Sequence, residues 1–474
     1  MSYPQDDKHV HSEFIEEQST MDSKLALTAT IDTMERSAEE KALVRKIDLC
    51  LLPVIWIMYL LSYMDRTNIG NAKVAGMTKD LKMDSNQYSI SLVVFFITYV
   101  IFEVPSNLIL SKTRPSRFLP TIMTLWGIAT ACMALVQSYH QLLALRLVIG
   151  ILEAGFAPGI LLILSSWYRK NEQSKRFAVY ISAAVLSGAF GGLLAGAITG
   201  GLDGHHGLAG WRWLFIVEGV ATAGFALISS FLLPDFPGNS KRLIVKLTDA
   251  ERELAVSRLE ADNVQGRTEE TPPLTAFQAL SQAARNWRTW IHVAGYMVIV
   301  GSSTLSYFYP TLVNGLGYTA HKAQYMVVPI YAVAFVCVVT TGYFSDKFPR
   351  QRGLIIASWL SIAMICSIII CVVYNVKARY VLLVFMAAAL WSSNGLALSY
   401  ASSTFGAMPQ EVRAVALAMV NALGNLAQIY GAYLFPSGDA PKYLLGFGVI
   451  SGMAAFGIAV YAIAHVVLRK YIQK

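Results

Sequence analysis

Residues 47–72 form a predominantly apolar run, IDLCLLPVIWIMYLLSYMDRTNIGNA, which ends in charged and amide side chains. About 20 such residues, wound as a helix, cross a hydrocarbon core roughly 30 Å thick. Eleven similar runs follow, near 88–110, 118–137, 141–167, 177–200, 211–233, 289–312, 321–344, 353–374, 378–402, 412–435 and 443–468. The sequence therefore predicts an all-α membrane protein with 12 transmembrane helices, called spans 1 to 12 in chain order.

The overall composition supports a bilayer as the solvent. Of 474 residues, 55% are hydrophobic and 14% are charged, against roughly 25% charged in soluble proteins, and the mean hydropathy is +0.48. The cysteines lie inside apolar runs without a CxxC pair, which argues against disulfides and against a metal site; they are Cys50, Cys132, Cys337, Cys366 and Cys371. No P-loop, HExxH or GxSxG motif occurs, so we expect neither an enzyme nor an ATP-driven pump.

Two groups of six spans are separated by a polar segment. We predict a disordered cytosolic tail over 1–46, a six-helix bundle over 47–237, a cytosolic linker over 238–288, a second bundle over 289–468 and a short cytosolic tail over 469–474. In the linker, Thr248 and Glu251 have the spacing of a capping box that opens an amphipathic helix. We interpret this helix as a solvated connector between the halves.

Basic residues indicate the orientation in the membrane. The loops after spans 2, 4 and 8 are basic and those after spans 3, 5 and 7 contain only Arg212 and Lys322, which predicts cytosolic termini. The loop after span 1, with Lys73, Lys79 and Lys82, runs against this rule. The net charge of +8 is thus a topology signal and not a sign of nucleic-acid binding. The basic loop residues are Lys112, Arg114, Arg117, Arg169, Lys170, Lys175, Arg176, Lys347, Arg350 and Arg352.

Charged side chains inside spans are costly and therefore mark functional candidates. They occur only in the first half, because the interiors of spans 7 to 12 contain no Asp, Glu, Lys or Arg. The six are Asp65 and Arg66 in span 1, Glu103 in span 2, Arg146 and Glu153 in span 4, and Glu218 in span 6. We expect structural roles for Glu103 and Glu218.

The remaining four charges are predicted to converge on one cavity. Arg146 and Glu153 are seven residues apart, about 700° around a helix, so they project from one face of span 4. Since span 1 runs toward the outside and span 4 enters from it, we expect Asp65, Arg66 and Arg146 to occupy the same outer half of the membrane. The alternative is a static salt bridge between Arg146 and Glu153 that only holds helices together.

Neutral side chains of the second half are candidates for the opposite wall of this cavity. Aromatic and amide groups recur on one face of spans 7, 10 and 11, and they are equally typical of interhelical hydrogen bonding. They are Tyr296, Ser303, Tyr307, Trp391, Asn394, Asn421, Asn425 and Gln428. A glycine ridge in span 5, at 188, 192, 196 and 200, predicts close packing of another helix.

Several motifs occur together in order along the chain. They are RKIDLCLLP at 45–53, YMDRTNIGNAK at 63–73, RLVIGILEAGFAPG at 146–159, GWRWLFIVEG at 210–219, GYFSDKFPRQRG at 342–353 and NALGNLAQIYG at 421–431. With them, the chain resembles the major facilitator superfamily, and within it the fungal anion:cation symporters typified by allantoate, nicotinate and pantothenate permeases. The counterpart loop LSKTRPSRF, 110–118, lacks the usual glycine and aspartate.

This resemblance implies roles for individual residues. Asp65 and Glu153 would be proton sites, Arg66 would hold the substrate carboxylate, and Arg146 would be the partner that tunes Glu153. Asp346, Lys347 and Arg350 belong to the gating signature. We therefore expect a monomeric importer of a small organic anion, coupled to protons and located in the plasma membrane, with no cofactor. Export of an acidic metabolite, or a non-transporting nutrient receptor, remain alternatives.

Overall fold

The computed structural model describes residues 38–235, 237, 247–264, 276–405 and 408–469, and these residues are helical with short connections. Among them, 12 helices are long and apolar enough to cross a membrane, which confirms the predicted spans. Spans 1 to 6 are Ala38–Val74, Ser85–Lys112, Pro115–Cys132, Tyr139–Glu153 with Phe156–Trp167, Lys170–Gly201, and Gly210–Leu232. Spans 7 to 12 are Trp287–Ser303 with Tyr309–Gly315, Ala320–Tyr325 with Val327–Lys347, Arg352–Val372, Val376–Thr404, Gln410–Gly431 and Leu444–Leu468.

Short polar side chains mark where several spans begin. The Asp84 carboxylate accepts a hydrogen bond from the Gln87 backbone amide at 2.7 Å, and the Gln87 side-chain oxygen accepts one from the Asp84 backbone amide at 3.1 Å. Asn375 caps span 10 by accepting from the Ala378 amide at 3.2 Å. Such caps satisfy amide groups that have no partner within the helix, so the polar residues between apolar runs fix the helix ends.

Part of the segment predicted as an N-terminal tail is helical. Residues 1–37 lie outside the described residues, but 38–46, which we assigned to the tail, form the first turns of span 1. Two ion pairs hold these turns in place. The Glu40 carboxylate lies 2.9 Å from the Arg169 guanidinium, and the Lys46 ammonium lies 2.8 Å from the Glu251 carboxylate. The predicted C-terminal tail lies outside the described residues except for Arg469.

The linker contains a helix over Asp249–Val264, which begins with the expected capping box. Our interpretation of this helix as a solvated connector is wrong. The Arg258 side chain is 1% exposed, lies 3.3 Å from Glu172 and donates to the Trp167 carbonyl at 2.8 Å. The helix is therefore docked on the first half of the molecule. A second linker helix spans Ala276–Arg285.

Spans 1 to 6, the first half, meet spans 7 to 12, the second half, on the side of the molecule opposite the linker. We call this the far side, and the other the linker side. Here the Ser89 hydroxyl donates to the Ala432 carbonyl at 2.8 Å. The buried Gln324 accepts from Thr199 at 2.6 Å and donates to the Asn71 carbonyl at 3.3 Å. These bonds close the far side of the interface.

The glycine ridge of span 5 makes this closure possible. A Cβ atom at Gly192 would lie 2.9 Å from the Gln324 carbonyl oxygen, and one at Gly196 would lie 2.6 Å from the Tyr325 ring. Only the absence of side chains allows spans 5 and 8 to approach so closely. The close packing predicted for the ridge is confirmed, and its partner is the start of span 8.

Candidate functional site

A buried ion pair lies at the centre of the first half. The Arg66 Nε atom is 2.6 Å from the Glu153 Oε1 atom, and the two side chains are 9% and 0% exposed. The Ser62 hydroxyl donates to the same Glu153 oxygen at 2.5 Å. Ser62 and Arg66 are four residues apart and therefore share one face of span 1, so a single turn of helix supplies both partners of the carboxylate.

Span 4 supplies a second buried arginine close to this pair. The Arg146 guanidinium lies 5.6 Å from the centroid of the Phe95 ring, and the Arg66 guanidinium lies 5.7 Å from the same centroid. A Cβ atom at Gly150 would lie 2.6 Å from the Phe95 carbonyl oxygen, so glycine at this position brings span 4 against span 2. The two cations thus share one aromatic neighbour.

The pairing of Glu153 differs from the sequence-based interpretation. We expected Arg146 to be its partner, but the carboxylate pairs with Arg66, and Arg146 makes no ion pair with the residues that the structure describes. Seven residues place Arg146 and Glu153 on one face but about 10.5 Å apart along the helix axis. Arg66 of span 1 lies at the level of Glu153, so the Arg66 guanidinium is within hydrogen-bonding distance of the carboxylate.

Asp65 lies close enough to Glu153 and Arg146 to interact with them electrostatically, but its hydrogen bonds go elsewhere. Its Oδ2 atom accepts hydrogen bonds from the Trp126 indole at 3.1 Å and the Thr222 hydroxyl at 2.9 Å, between spans 3 and 6. Successive residues of a helix project about 100° apart, so Asp65 and Arg66 point into different interfaces. The structure therefore brings Arg66, Arg146 and Glu153 together and holds the Asp65 carboxylate in a neighbouring interface. That these four residues form a functional site stays a prediction.

The two arginines face the second half across a narrow gap. This gap of ≈ 160 Å³ leaves no room for a water-sized sphere, and it is lined by Arg66, Leu92, Phe95, Phe96, Arg146 and Tyr307. Tyr307 lies in the helical turn Thr304–Phe308, which joins the two segments of span 7. It packs edge-on against Phe96 at 5.9 Å between ring centroids. Of the neutral side chains predicted from the second half, Tyr307 is thus the one that lines the gap.

The other neutral candidates lie around this point. Trp391 packs 6.5 Å from Tyr63, whose ring carries the Arg66 guanidinium at 5.3 Å. The Tyr296 hydroxyl donates to Asn394 at 3.3 Å. The Ser303 hydroxyl donates a hydrogen bond to the Ile299 carbonyl of its own helix. Asn421 and Asn425 are half-buried, and Asn425 accepts a hydrogen bond from Gln428 at 3.5 Å. At this point the second half therefore presents aromatic, hydroxyl and amide groups, and none of these candidate side chains carries a formal charge.

The remaining charged candidates lie outside this cluster. Glu218 is 1% exposed, and both of its carboxyl oxygens lack a hydrogen-bond partner among the residues that the structure describes. Glu103 is half-buried. Asp346 and Lys347 form the last turn of span 8, and Arg350 follows in a short turn over Pro349–Gln351. Within the described ranges, no group of three or more His, Cys, Asp or Glu side chains could hold a metal ion.

Sequence reasoning missed the neutral residues that orient the charges. Ser62, Trp126 and Thr222 supply the hydrogen bonds to Glu153 and Asp65. Ser62 carried a usable signal, since it precedes Arg66 by one helical turn. Trp126 and Thr222 carried none, because isolated Trp and Thr residues are ordinary in apolar spans.

Comparison with known proteins gives consistent results. A family model described as Major Facilitator Superfamily matches residues 55–432. The chain is 35% identical over 443 residues to the MFS transporter prlL of a fungal species (strain NRRL 50135), covering 90% of this chain and 86% of that protein. It is 34% identical over 443 residues to the MFS-type transporter cnsO of Penicillium expansum, covering 92% and 84%.

Solved structures show the same fold. A bacterial homolog of the human lysosomal transporter Spinster, in an inward-facing and unoccupied conformation, superposes with a TM-score of 0.70 and covers 93% of this chain and 100% of its own. The sequence identity is 16%, so this likeness concerns the fold alone.

Proposed function

Since the chain belongs to the major facilitator superfamily of secondary membrane transporters, we propose that it imports a small organic anion together with protons. The observation that carries the proposal is the Arg66 and Glu153 pair, which lies beside a second buried arginine without an ion-pair partner among the described residues. Two guanidinium groups that line the gap between the halves, and one carboxylate paired with the first of them, form a site whose charge changes when the carboxylate takes up a proton.

A proton on Glu153 competes with Arg66. The protonated carboxyl no longer balances the guanidinium, and an unpaired buried cation is costly. A substrate carboxylate can then take the place of Glu153, because a planar guanidinium binds a carboxylate through two parallel hydrogen bonds. Arg146 adds a second cation close by. Proton uptake thereby creates the anion site.

Loss of the proton reverses these steps. The ionised Glu153 reclaims Arg66 and the anion loses its partner. The closed gap and the 2.6 Å ion pair correspond to this anion-free arrangement. With the predicted orientation, the far side faces outward, so the anion enters from there and leaves on the linker side by rocking of the two halves about the central site. The cytosolic termini and the plasma membrane location belong to the same proposal.

Asp65 has a different position in this scheme. It lies between spans 1, 3 and 6 and contacts neither arginine through a hydrogen bond. Because it precedes Arg66 directly, a change in its ionisation acts on the same turn of span 1. We therefore propose Asp65 as a second proton site that acts through span 1, and Glu153 as the proton site that competes with the substrate.

Two variants test the central pair. Glu153→Gln keeps the shape of the side chain and removes its titration, so it should bind the anion but lose accumulation driven by a pH gradient. Arg66→Lys should abolish uptake, because a compact ammonium cannot form the bidentate contact. Uptake into proteoliposomes with an imposed pH gradient, using a panel of nicotinate, pantothenate, allantoate and gluconate, measures both. Normal concentrative uptake by Glu153→Gln would refute the mechanism, and uphill efflux by the wild type would refute import.

A further inference from the structure

Lys73 is a cation that the proposed mechanism does not use. The sequence placed it in a loop against the trend of the other basic residues, but it lies in the last turn of span 1 and is half-buried. Its ammonium group is 4.2 Å from the centroid of the Tyr88 ring and 5.4 Å from that of Phe308. It makes no ion pair or hydrogen bond with any residue in the described part of the chain.

The two rings that cover this ammonium belong to different halves of the molecule. Tyr88 is part of span 2 and Phe308 is part of span 7, and their centroids are 6.1 Å apart. A cation over an aromatic face is attracted to the π electrons of the ring, and more strongly when water is excluded. The contact between the Lys73 ammonium and the Phe308 ring joins the two halves of the molecule, so it requires a closed far side. When the halves separate there, Lys73 exchanges Phe308 for water.

The register of span 1 places Lys73 above the central site. It follows Arg66 by seven residues, so the two side chains share one face of the helix and are about 10.5 Å apart along its axis. Between them, Gly70 faces the carbonyl oxygen of Tyr307, with which a Cβ atom would clash. The backbone contact at Gly70 therefore separates Lys73 from the arginines in the closed state. Opening of the far side removes this barrier.

We propose that Lys73 is a first binding site for the organic anion on the far side. In the open state its ammonium binds the carboxylate as a point charge, and the anion then moves two helical turns inward to Arg66 and Arg146. On closure, Phe308 returns to the ammonium and takes the position of the departed anion. This inference rests on the proposed function, since it requires an anionic substrate.

The salt dependence of uptake provides a test. Surface-accessible charges that attract a substrate raise its association rate by a factor of about 10 or more, and salt screens this effect. Wild-type kcat/KM for the best transported anion of the panel, applied from the far side in proteoliposomes, should fall as ionic strength rises. Lys73→Gln should lower kcat/KM about tenfold at low salt and remove most of the salt dependence. Lys73→Arg, which keeps the charge and the ring contacts, should retain both.

Matched controls separate this site from general surface charge. Lys79 and Lys82 belong to the same connection and are exposed, so Lys79→Gln and Lys82→Gln should behave like the wild type. An equal loss in these controls would overturn the proposal, as would a wild-type salt dependence in Lys73→Gln. The second result would leave Lys73 as a closing contact alone. Arg66→Lys in the same assay separates a failure of the Lys73 proposal from a failure of the proposed function. Normal transport by Arg66→Lys would refute the proposed function itself.

Discussion

Gly192 offers the sharpest test of how the two halves close. It lies on span 5 and faces the backbone of Gln324 at the start of span 8. In Gly192→Ala the new Cβ atom would lie 2.9 Å from the Gln324 carbonyl oxygen, where ordinary contacts are 3.4–4 Å. Because the obstacle is backbone and not a flexible side chain, the two spans must separate by about 0.5 Å or more.

The size of the effect follows from this clash. Overpacking by one methyl group in a well-packed interface costs about 1–3 kcal/mol. The strain is present only while the far side is closed, so it shifts the conformational equilibrium toward the open state. At 1.4 kcal/mol per factor of ten, the open population rises roughly 5-fold to 150-fold.

Thiol labelling measures this population directly. Ser89 is 5% exposed and bonded to the Ala432 carbonyl across the interface, so Ser89→Cys, in a background without the native cysteines, should react with an impermeant maleimide only when the far side is open. Gly192→Ala should raise the labelling rate at least about fivefold. Gly191→Ala is the matched control, because its Cβ atom meets only Met64 at 3.8 Å. Equal rates in Gly192→Ala and Gly191→Ala would refute the reasoning.

Three further predictions concern stability and are measured by thermal unfolding in detergent. Arg258→Ala should lower the unfolding free energy by about 3–5 kcal/mol, because it removes a buried partner of Glu172, and Arg258→Met with Glu172→Met should recover most of the loss; equal destabilisation by both would contradict this. The hydrogen bond from Lys46 lowers the pKa of Glu251, so its stabilising contribution is present above the unfolded pKa and disappears as pH falls through the folded one. Glu251→Gln should therefore be less stable than the wild type at about pH 7, and the difference should shrink as the pH falls into the acid range. Glu218→Gln should change the unfolding free energy by less than about 1 kcal/mol, because a buried carboxyl without a partner is tolerated only in its neutral form; a large loss would reveal an ionised Glu218.

The spans could be predicted from the sequence because hydropathy is a local property. Each apolar run must form its own backbone hydrogen bonds in lipid, so its length alone identifies a helix. The face shared by Arg146 and Glu153 was equally accessible, since it depends only on helical periodicity. What could not be predicted is the partner of Glu153, because this depends on how spans 1, 2 and 4 cross. The close contact at Gly150, for example, brings span 4 against span 2.

The position of Asp65 shows the same limit at finer scale. A helix fixes the angle of about 100° between Asp65 and Arg66, but the absolute rotation of span 1 is decided by its neighbours. Trp126 and Thr222 provide the hydrogen bonds that turn the aspartate away from the gap. Lys73 was assigned to a loop because the apolar run ends at residue 72. The helix itself continues to Val74. Rotation and helix ends are thus the features that required a structure.

The linker helix over Asp249–Val264 has one practical consequence. Arg258 ties it to Glu172 and to the Trp167 carbonyl, and Lys46 ties its first turn to span 1. We therefore expect this helix to move together with the first six spans, as a rigid part of the first half, when the two halves rock. A fluorophore attached to its exposed surface would report where the first half is, and a second one on span 9 or 12 would turn each transport cycle into a change in energy transfer.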